Sequence, residues 1–283
     1  GRMTPSVLLD VPDVPIARGL PWHGRQLKQL ANLLLLKIDP WAKHSSLIPS
    51  NSDLILYLGP NGSPFTVHGS GWNVYLGPSP SPVQQVDYVN PIGPALSVAI
   101  AISYMFFHNL TRLDCRISFN ALDWSEGLID PALGRISDET NLGDLWTVGT
   151  GSVGTAIMYF LTMANRNFKA TIFDMDVVEI HNLDRSPVFV CDDIGKRKVD
   201  VTKQYLESVG ISDIRAESVS LDESSIWKNR KQEPDILIPA ANEHNVRSII
   251  EHGLPPVQIY GTTGRDWQAS IIRHLPSHDP CSC

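Results

Sequence analysis

Gly149-Thr150-Gly151-Ser152-Val153-Gly154 follows an apolar β-type run, Leu145 to Val148, and opens a stretch of helical character, Ser152 to Ala164. A GxGxxG at a strand-to-helix junction constrains this chain more than any other feature of it. The first glycine permits a tight turn, the second lets backbone approach a phosphate, and the third lets helix and strand pack closely. The helix N-terminus meanwhile offers free N–H groups to an anion. The pattern alone is weak, because a glycine turn can serve packing only. Asp174 argues for the nucleotide reading: it ends the next β-type run, Ala170 to Phe173, 20 residues after Gly154. A carboxylate there can accept hydrogen bonds from ribose hydroxyls.

The alternation continues with a helix over Lys196 to Ser208, strands at Ile214 to Glu217 and Asp235 to Ile238, a helix over Asn245 to Glu251 and a strand at Val257 to Tyr260. Strands and helices in this order predict an α/β fold, a Rossmann-like, mostly parallel sheet with helices on both faces. Upstream the pattern is different. Gln26 to Ile38 is Leu-rich and helical, Leu54 to Leu58 and Trp72 to Leu76 are short β-type runs, Asn90-Pro91 opens an apolar helix from Ile92 to about Phe107, and Arg116 to Leu122 alternates like a strand. No glycine phosphate loop occurs there. Asp123 to Asp144 is polar and Gly-rich, the composition of a linker. A chain of 283 residues with 42% hydrophobic content can bury two cores. We therefore expect a smaller α/β domain over 1–123, a linker over 124–144 and the nucleotide domain over 145–283.

Several classes are disfavoured. The formal charge of −7 gives no broad footprint for nucleic acid. The longest apolar stretch, Ile92 to Phe107, falls short of the roughly 20 residues of a membrane span and reads as a buried helix. No charged and then apolar leader opens the chain, and Gly1-Arg2-Met3 reads as a residual tag before a start methionine, so a cytoplasmic location is expected. Four cysteines make no disulfide framework, which fits reduced thiols.

Glycines and one acidic residue would favour a dinucleotide and an oxidoreductase, so the next segment has to decide. Asn182, Arg185 and Lys198 place an amide and two cations beyond the ribose-binding strand, where a triphosphate, rather than a nicotinamide, needs its charge neutralised.

At these residues the chain resembles the adenylation domain of the ThiF, MoeB and ubiquitin-activating enzyme superfamily. That family has a glycine loop, then D-x-D-x-V, N-L-x-R and G-x-x-K. This sequence has Gly149 to Gly154, Asp174-Met175-Asp176-Val177-Val178, Asn182-Leu183-Asp184-Arg185 and Gly195 to Lys198 in the same order. The likeness runs on through Asp235 to Arg247 and covers roughly residues 143 to 283. It implies that Gly149, Gly151 and Gly154 hold ATP, that Asp174 holds its ribose, and that Asn182, Arg185 and Lys198 handle its phosphates.

Two positions depart from the family. Its Gln after the Arg is Ser186 here, and its Asp for magnesium or catalysis is Asn242, a neutral ligand that cannot replace that charge. Either the adjacent Glu243 supplies the carboxylate for Mg, or the metal relies on the ATP phosphates, or this copy adenylates poorly. The ending, His274 to Cys283, sets His274 and His278 near Cys281 and Cys283. Either cysteine could ligate Zn, an ordinary thiol is a third reading, and Cys281 could accept an activated carboxyl as a thioester. The family fold usually continues beyond this point, so the chain is expected to be truncated within it.

Asn90-Pro91-Ile92-Gly93 with its apolar helix resembles the N-P-x-G helix late in superfamily adenylation domains, which implies that the first half is a degenerate, inactive copy; an unrelated α/β domain is the alternative. Arg25-Gln26 resembles the family's R-Q, whose arginine reaches a γ-phosphate in the partner domain. Bacterial two-domain relatives of this kind serve conjugation systems linked to antiphage defence. The implied partners are a ubiquitin-like protein and a conjugating enzyme, with a homodimer among the assemblies. A noncatalytic module that only binds nucleotide and the ubiquitin-like protein is the rival, motivated by Asn242.

Overall fold

The computed structural model describes residues 6–7, 10–16, 22–40, 43–44, 56–107, 115–131, 133, 140–164, 167–229, 233–241, 246, 248–250, 256–263, 269–275 and 278–279. These fall into two compact units, one of residues 1–27 and 43–137, the other of residues 28–42 and 138–283.

In the first unit, β1 (Ser6–Val7) pairs in parallel with β2 (Lys43–His44). Strands β3 (Phe65–Ser70), β4 (Asn73–Pro78) and β5 (Ile117–Asn120) form an antiparallel sheet in that order. Helix α2 (Ile92–Phe107) packs on it around Val67, Val74, Leu76 and Ala101. Strand β3 has no apolar alternation to announce it, since FTVHGS interleaves Thr66, His68 and Ser70 with Val67 and Gly69. These three polar residues are buried and bond to nearby loops instead of water, as His68 does with Ser81 Oγ at 2.9 Å. The segment expected as a linker begins as part of this unit. Trp124 stacks on Phe119 at 5.7 Å, Gly127 N–H donates to Ser118, and Asn73 clasps Ile129 through both its amide groups. Polarity alone does not separate a linker from a loop that is hydrogen-bonded back onto its own sheet.

The second unit holds α1 (Leu27–Ile38) in its larger part and a six-stranded sheet. Grouping α1 here departs from the linear division at residue 123, because a chain can return to a neighbour distant in sequence. The sheet is built from β6 (Asp144–Val148), β7 (Lys169–Phe173), β8 (Ile214–Glu217), β9 (Ile236–Pro239), β10 (Gln258–Thr263) and β11 (Ala269–His274), in the order β11-β10-β9-β6-β7-β8. All neighbouring pairs are parallel except β10 with β11. The mostly parallel α/β sheet is as the sequence implied; β11 was not expected, and it closes one edge as an antiparallel strand.

Strand β6 shows why both faces are covered. Its Leu145 packs with Met158 of α3 (Ser152–Ala164) and Leu206 of α4 (Lys198–Ser208), while Trp146 and Val148 face Trp227 of α5 (Ser225–Asn229), Val246 and Ile250. Successive side chains of a strand point to opposite faces, so a central strand apolar on both sides must lie between two helical layers. Each such buried side chain contributes roughly 1.5–3 kcal/mol. The chain goes from β6 outward to β7 and β8, then crosses to β9 on the other side of β6. Ligands of open α/β sheets bind in the crevice outside the strand ends at that reversal.

Candidate functional site

A cavity of about 530 Å³ opens at that reversal, within the second unit, walled by the ends of β6 and β7, the first turn of α3, the β7-to-α4 crossover and residues after β8 and β9. The three glycines of the loop do three different things. Gly149 has φ +94, which L side chains rarely adopt, and a Cβ there would meet Ala241 N at 2.7 Å. At Gly154 a Cβ would lie 2.0 Å from the Gly149 carbonyl oxygen, so helix and turn approach as only glycine allows. A Cβ on Gly151 would meet nothing, because this residue faces the cavity. The N–H groups of a helix's first turn have no intrahelical partner, and here that turn contributes Ser152 and Val153 to the cavity wall.

Asp174 is tied into this loop. Its Oδ2 accepts from Thr150 N–H at 2.7 Å and Thr150 Oγ at 3.1 Å, and its Oδ1 accepts from Asp176 N–H at 2.9 Å. The carboxylate thereby fixes the shape of the glycine turn as well as lining the cavity; Oδ2 is doubly engaged, and Oδ1, which accepts once, keeps lone-pair capacity for a further donor.

The spacing from Asp174 to Lys198 has a geometric reason. Residues 176–178 and 195–198 form a short antiparallel ladder: Val178 N–H donates to Lys196, Gly195 N–H to Val178 and Lys198 N–H to Asp176. Gly195, at φ +88, makes the turn into it. The ladder brings Lys198, the first residue of α4, back to the strand end where Asp174 sits. Lys198 is 8% exposed, and its Nζ lies 2.8 Å from Asp176 Oδ2, whose side chain is 59% exposed. Its ammonium is therefore neutralised by Asp176, a partner the sequence reading did not assign.

Between these anchors the chain makes one tight turn. Glu179 N–H donates to Asn182 Oδ1 at 2.9 Å, and Arg185 and Ser186 N–H both donate to the Asn182 carbonyl. Asn182 is buried, so its side-chain oxygen holds the turn while the residue still lines the cavity. Ser186, where the resemblance led us to look for Gln, is buried too. Its hydroxyl donates to Thr155 Oγ on α3 at 3.0 Å and accepts from Val188 and Phe189 N–H. Arg185 is exposed on the cavity wall, and its guanidinium makes no hydrogen bond or ion pair with a described residue.

Of the residues singled out from sequence, Gly149, Gly151, Asp174, Asn182, Arg185 and Lys198 share this cavity, with Gly154 behind it. Arg25 is exposed in the turn before α1 and belongs to the first unit. Asn242, Glu243, Cys281 and Cys283 lie outside the described residues. Among the described residues no group of His, Cys, Asp and Glu could hold a metal ion, and no helix is long and apolar enough to cross a membrane. The sequence reading missed His181, Val219, Ser220, Leu221, Val246 and Gly261, all on the wall. The residues after β8 could have been found from the rule that strand ends near the reversal form the site.

Comparison with known proteins fits this geometry. Residues 144–255, which contain every residue of the glycine loop and crossover, match the ThiF family. The chain carries a ThiF-family domain. The NEDD8-activating enzyme E1 catalytic subunit of Saccharomyces cerevisiae is 38% identical over 61 residues, 22% of this chain and 20% of that protein. This chain therefore spans about a fifth of that relative's length. Crystal structures of E. coli MccB, with ATP and with AMPCPP plus MccA, are similar over 49% of this chain. They are matched over 43% and 42% of their own length, with TM-scores of 0.43 and 0.42 at 19% and 20% identity.

Proposed function

We propose that the chain binds ATP in the β6–β7–β9 cavity and uses it to adenylate a carboxylate, the C-terminal glycine of a ubiquitin-like protein. The observation that carries the reading is Arg185: an exposed guanidinium without a described partner faces a glycine turn whose second glycine and helix N-terminus open into the same space. A polyanion satisfies both at once. The ThiF-family match over residues 144–255, which contain the glycine loop and Arg185, supports ATP as that polyanion.

The carboxylate oxygen would attack the α-phosphorus, the bond to the bridging oxygen would break, and pyrophosphate would leave, giving acyl-AMP. No proton transfer is needed, since a C-terminal carboxylate is ionised at neutral pH. The protein's task is then to position and to neutralise charge. Arg185 serves the leaving phosphates, joined by Lys198 once they draw its ammonium from Asp176, and Asp174 serves the ribose. Asn242 and Glu243, at the family-equivalent positions, are the residues that would hold magnesium, which would supply charge neutralisation for the phosphates. In a second step the Cys281 thiolate would attack the acyl carbonyl and expel AMP, leaving a thioester for a conjugating enzyme. Zinc on Cys281 and Cys283 is the competing role for that end, and a bacterial conjugation system linked to antiphage defence is the setting we favour.

The test is ATP–pyrophosphate exchange with a candidate ubiquitin-like protein. Exchange that depends on the partner's terminal glycine is expected. Nucleotide binding with no exchange, even after Asn242→Asp, would favour the noncatalytic module instead.

A further inference from the structure

His181 lines the cavity and has no part in the reading above. The turn over residues 179–186 is helical in character: Asn182 N–H donates to Glu179, Leu183 N–H to Ile180 and Ser186 N–H to Asn182. His181 and Arg185 are both exposed and both on the cavity wall, while Asn182, Leu183 and Ser186 of the same turn are buried. His181 Nδ1 lies 3.2 Å from Glu179 Oε2. A carboxylate on one ring nitrogen sets the ring's orientation and leaves Nε2 as the nitrogen available to a ligand. As a surface pair Glu179–His181 is worth little for stability, with side chains 62% and 56% exposed. Its placement beside a cation that has no described partner is better explained by a ligand.

We propose that His181 is a second cation for the outer phosphates of the bound nucleotide, acting only when its ring is protonated, so that acid strengthens ATP binding. This rests on the ATP reading above. The charged groups sharing the cavity with the imidazole are Arg185 on the same turn, Asp174 and Asp176 after β7, and Lys198 at the start of α4, with Glu179 at its own Nδ1. Lys198 and Asp176 neutralise each other. A triphosphate reaches the ring, whereas AMP ends short of it.

ATP and AMP dissociation constants measured on the full chain at about pH 8 and about pH 6, either side of the ordinary histidine range, test this. In the wild type ATP should tighten by about fivefold on going to the lower pH, the scale of an exposed ion pair. AMP should stay flat. In His181→Gln the ATP gain should vanish at unchanged melting temperature. Protonation of ATP itself affects both proteins alike and cancels in their comparison. The same pH dependence in wild type and His181→Gln would overturn the proposal and leave the pair as surface decoration. Absence of ATP and AMP binding at both pH values would overturn the ATP reading and this inference together.

Discussion

Both units set a glycine turn against the N-terminus of an apolar helix, and they use it to opposite ends. In the first unit Gly69 and Gly93 bring α2 against the β3–β4 turn: a Cβ on Gly69 would lie 2.4 Å from the Gly93 carbonyl, and one on Gly93 would lie 2.5 Å from the carbonyls of Gly71 and Asn73. The helix entry is sealed as well, with Asn90 Oδ1 accepting from Ile92 N–H and the Gly71 carbonyl from Gly93 N–H. In the second unit Gly149 and Gly154 make the same close approach, but Gly151 is left facing open space. Glycine at a helix start thus indicates close backbone packing in either case. What distinguishes a ligand site is a glycine whose missing side chain is replaced by nothing, with charge left uncompensated across from it.

Adding one methyl group on each side would sharpen this contrast most. Gly154→Ala forces a Cβ into the Gly149 carbonyl and should abolish ATP and AMP binding, a loss of more than about 3 kcal/mol of site geometry plus overpacking strain. Gly93→Ala should cost comparable stability in the first unit yet leave nucleotide affinity of folded protein unchanged. Isothermal calorimetry beside thermal melts reads both, and nucleotide loss in Gly93→Ala would contradict the separation.

Arg185→Ala comes next in size. It should weaken ATP by roughly tenfold to a hundredfold, the value of a charge-assisted hydrogen bond, and AMP hardly at all. Equal losses would place the guanidinium near the α-phosphate or ribose instead.

Acid should separate the units further. Burial holds His68, under the loop around Ser81, below the ordinary histidine range. The unfolded chain then binds the proton more readily. The stability His68 confers is therefore complete above the unfolded-state value near pH 6.5 and is lost as pH falls towards the lowered folded value. His68→Gln should flatten that acid loss, by about 2–4 °C in melting temperature, without altering nucleotide affinity at neutral pH.

The smallest effect concerns Asp144, at the end of β6 away from the cavity. Burial raises its pKa, with Asp235 adding to the rise against Trp146, Arg215 and Lys169. An acid with a raised folded value is most favourable when protonated, so it weakens the fold as pH rises through that value. Asp144→Asn should give a gain at neutral pH of a few tenths of a kcal/mol, as for a partly exposed group, that fades towards pH 4. A loss at neutral pH would mean that the carboxylate is needed by Trp146.

These contrasts also show what the sequence could and could not disclose. The second unit was legible because its elements carry the period of their structure: β6 is apolar on both faces and α3 begins at a glycine turn, so strand, turn and helix announce one another. The spacing Asp174 to Lys198 could be recognised as a pattern, but its cause, the ladder between residues 176–178 and 195–198, is tertiary. Hence the Lys198–Asp176 pair and the backbone-holding role of Asn182 were not foreseeable from residue type. In the first unit β3 was missed because its buried face is polar, Thr66, His68 and Ser70, and its partners come from loops distant in sequence. Asn73 and Ile129, 56 positions apart, likewise turn an apparent linker into packed structure.

The central claim is that the cavity is built for a triphosphate. Titration of the full chain with ATP, AMP and NADH, in magnesium and at neutral pH, tests it most directly. We predict ATP binding at least about tenfold tighter than AMP, a difference of one charge-assisted contact, and no NADH binding. NADH binding, or ATP and AMP binding equally, would contradict it.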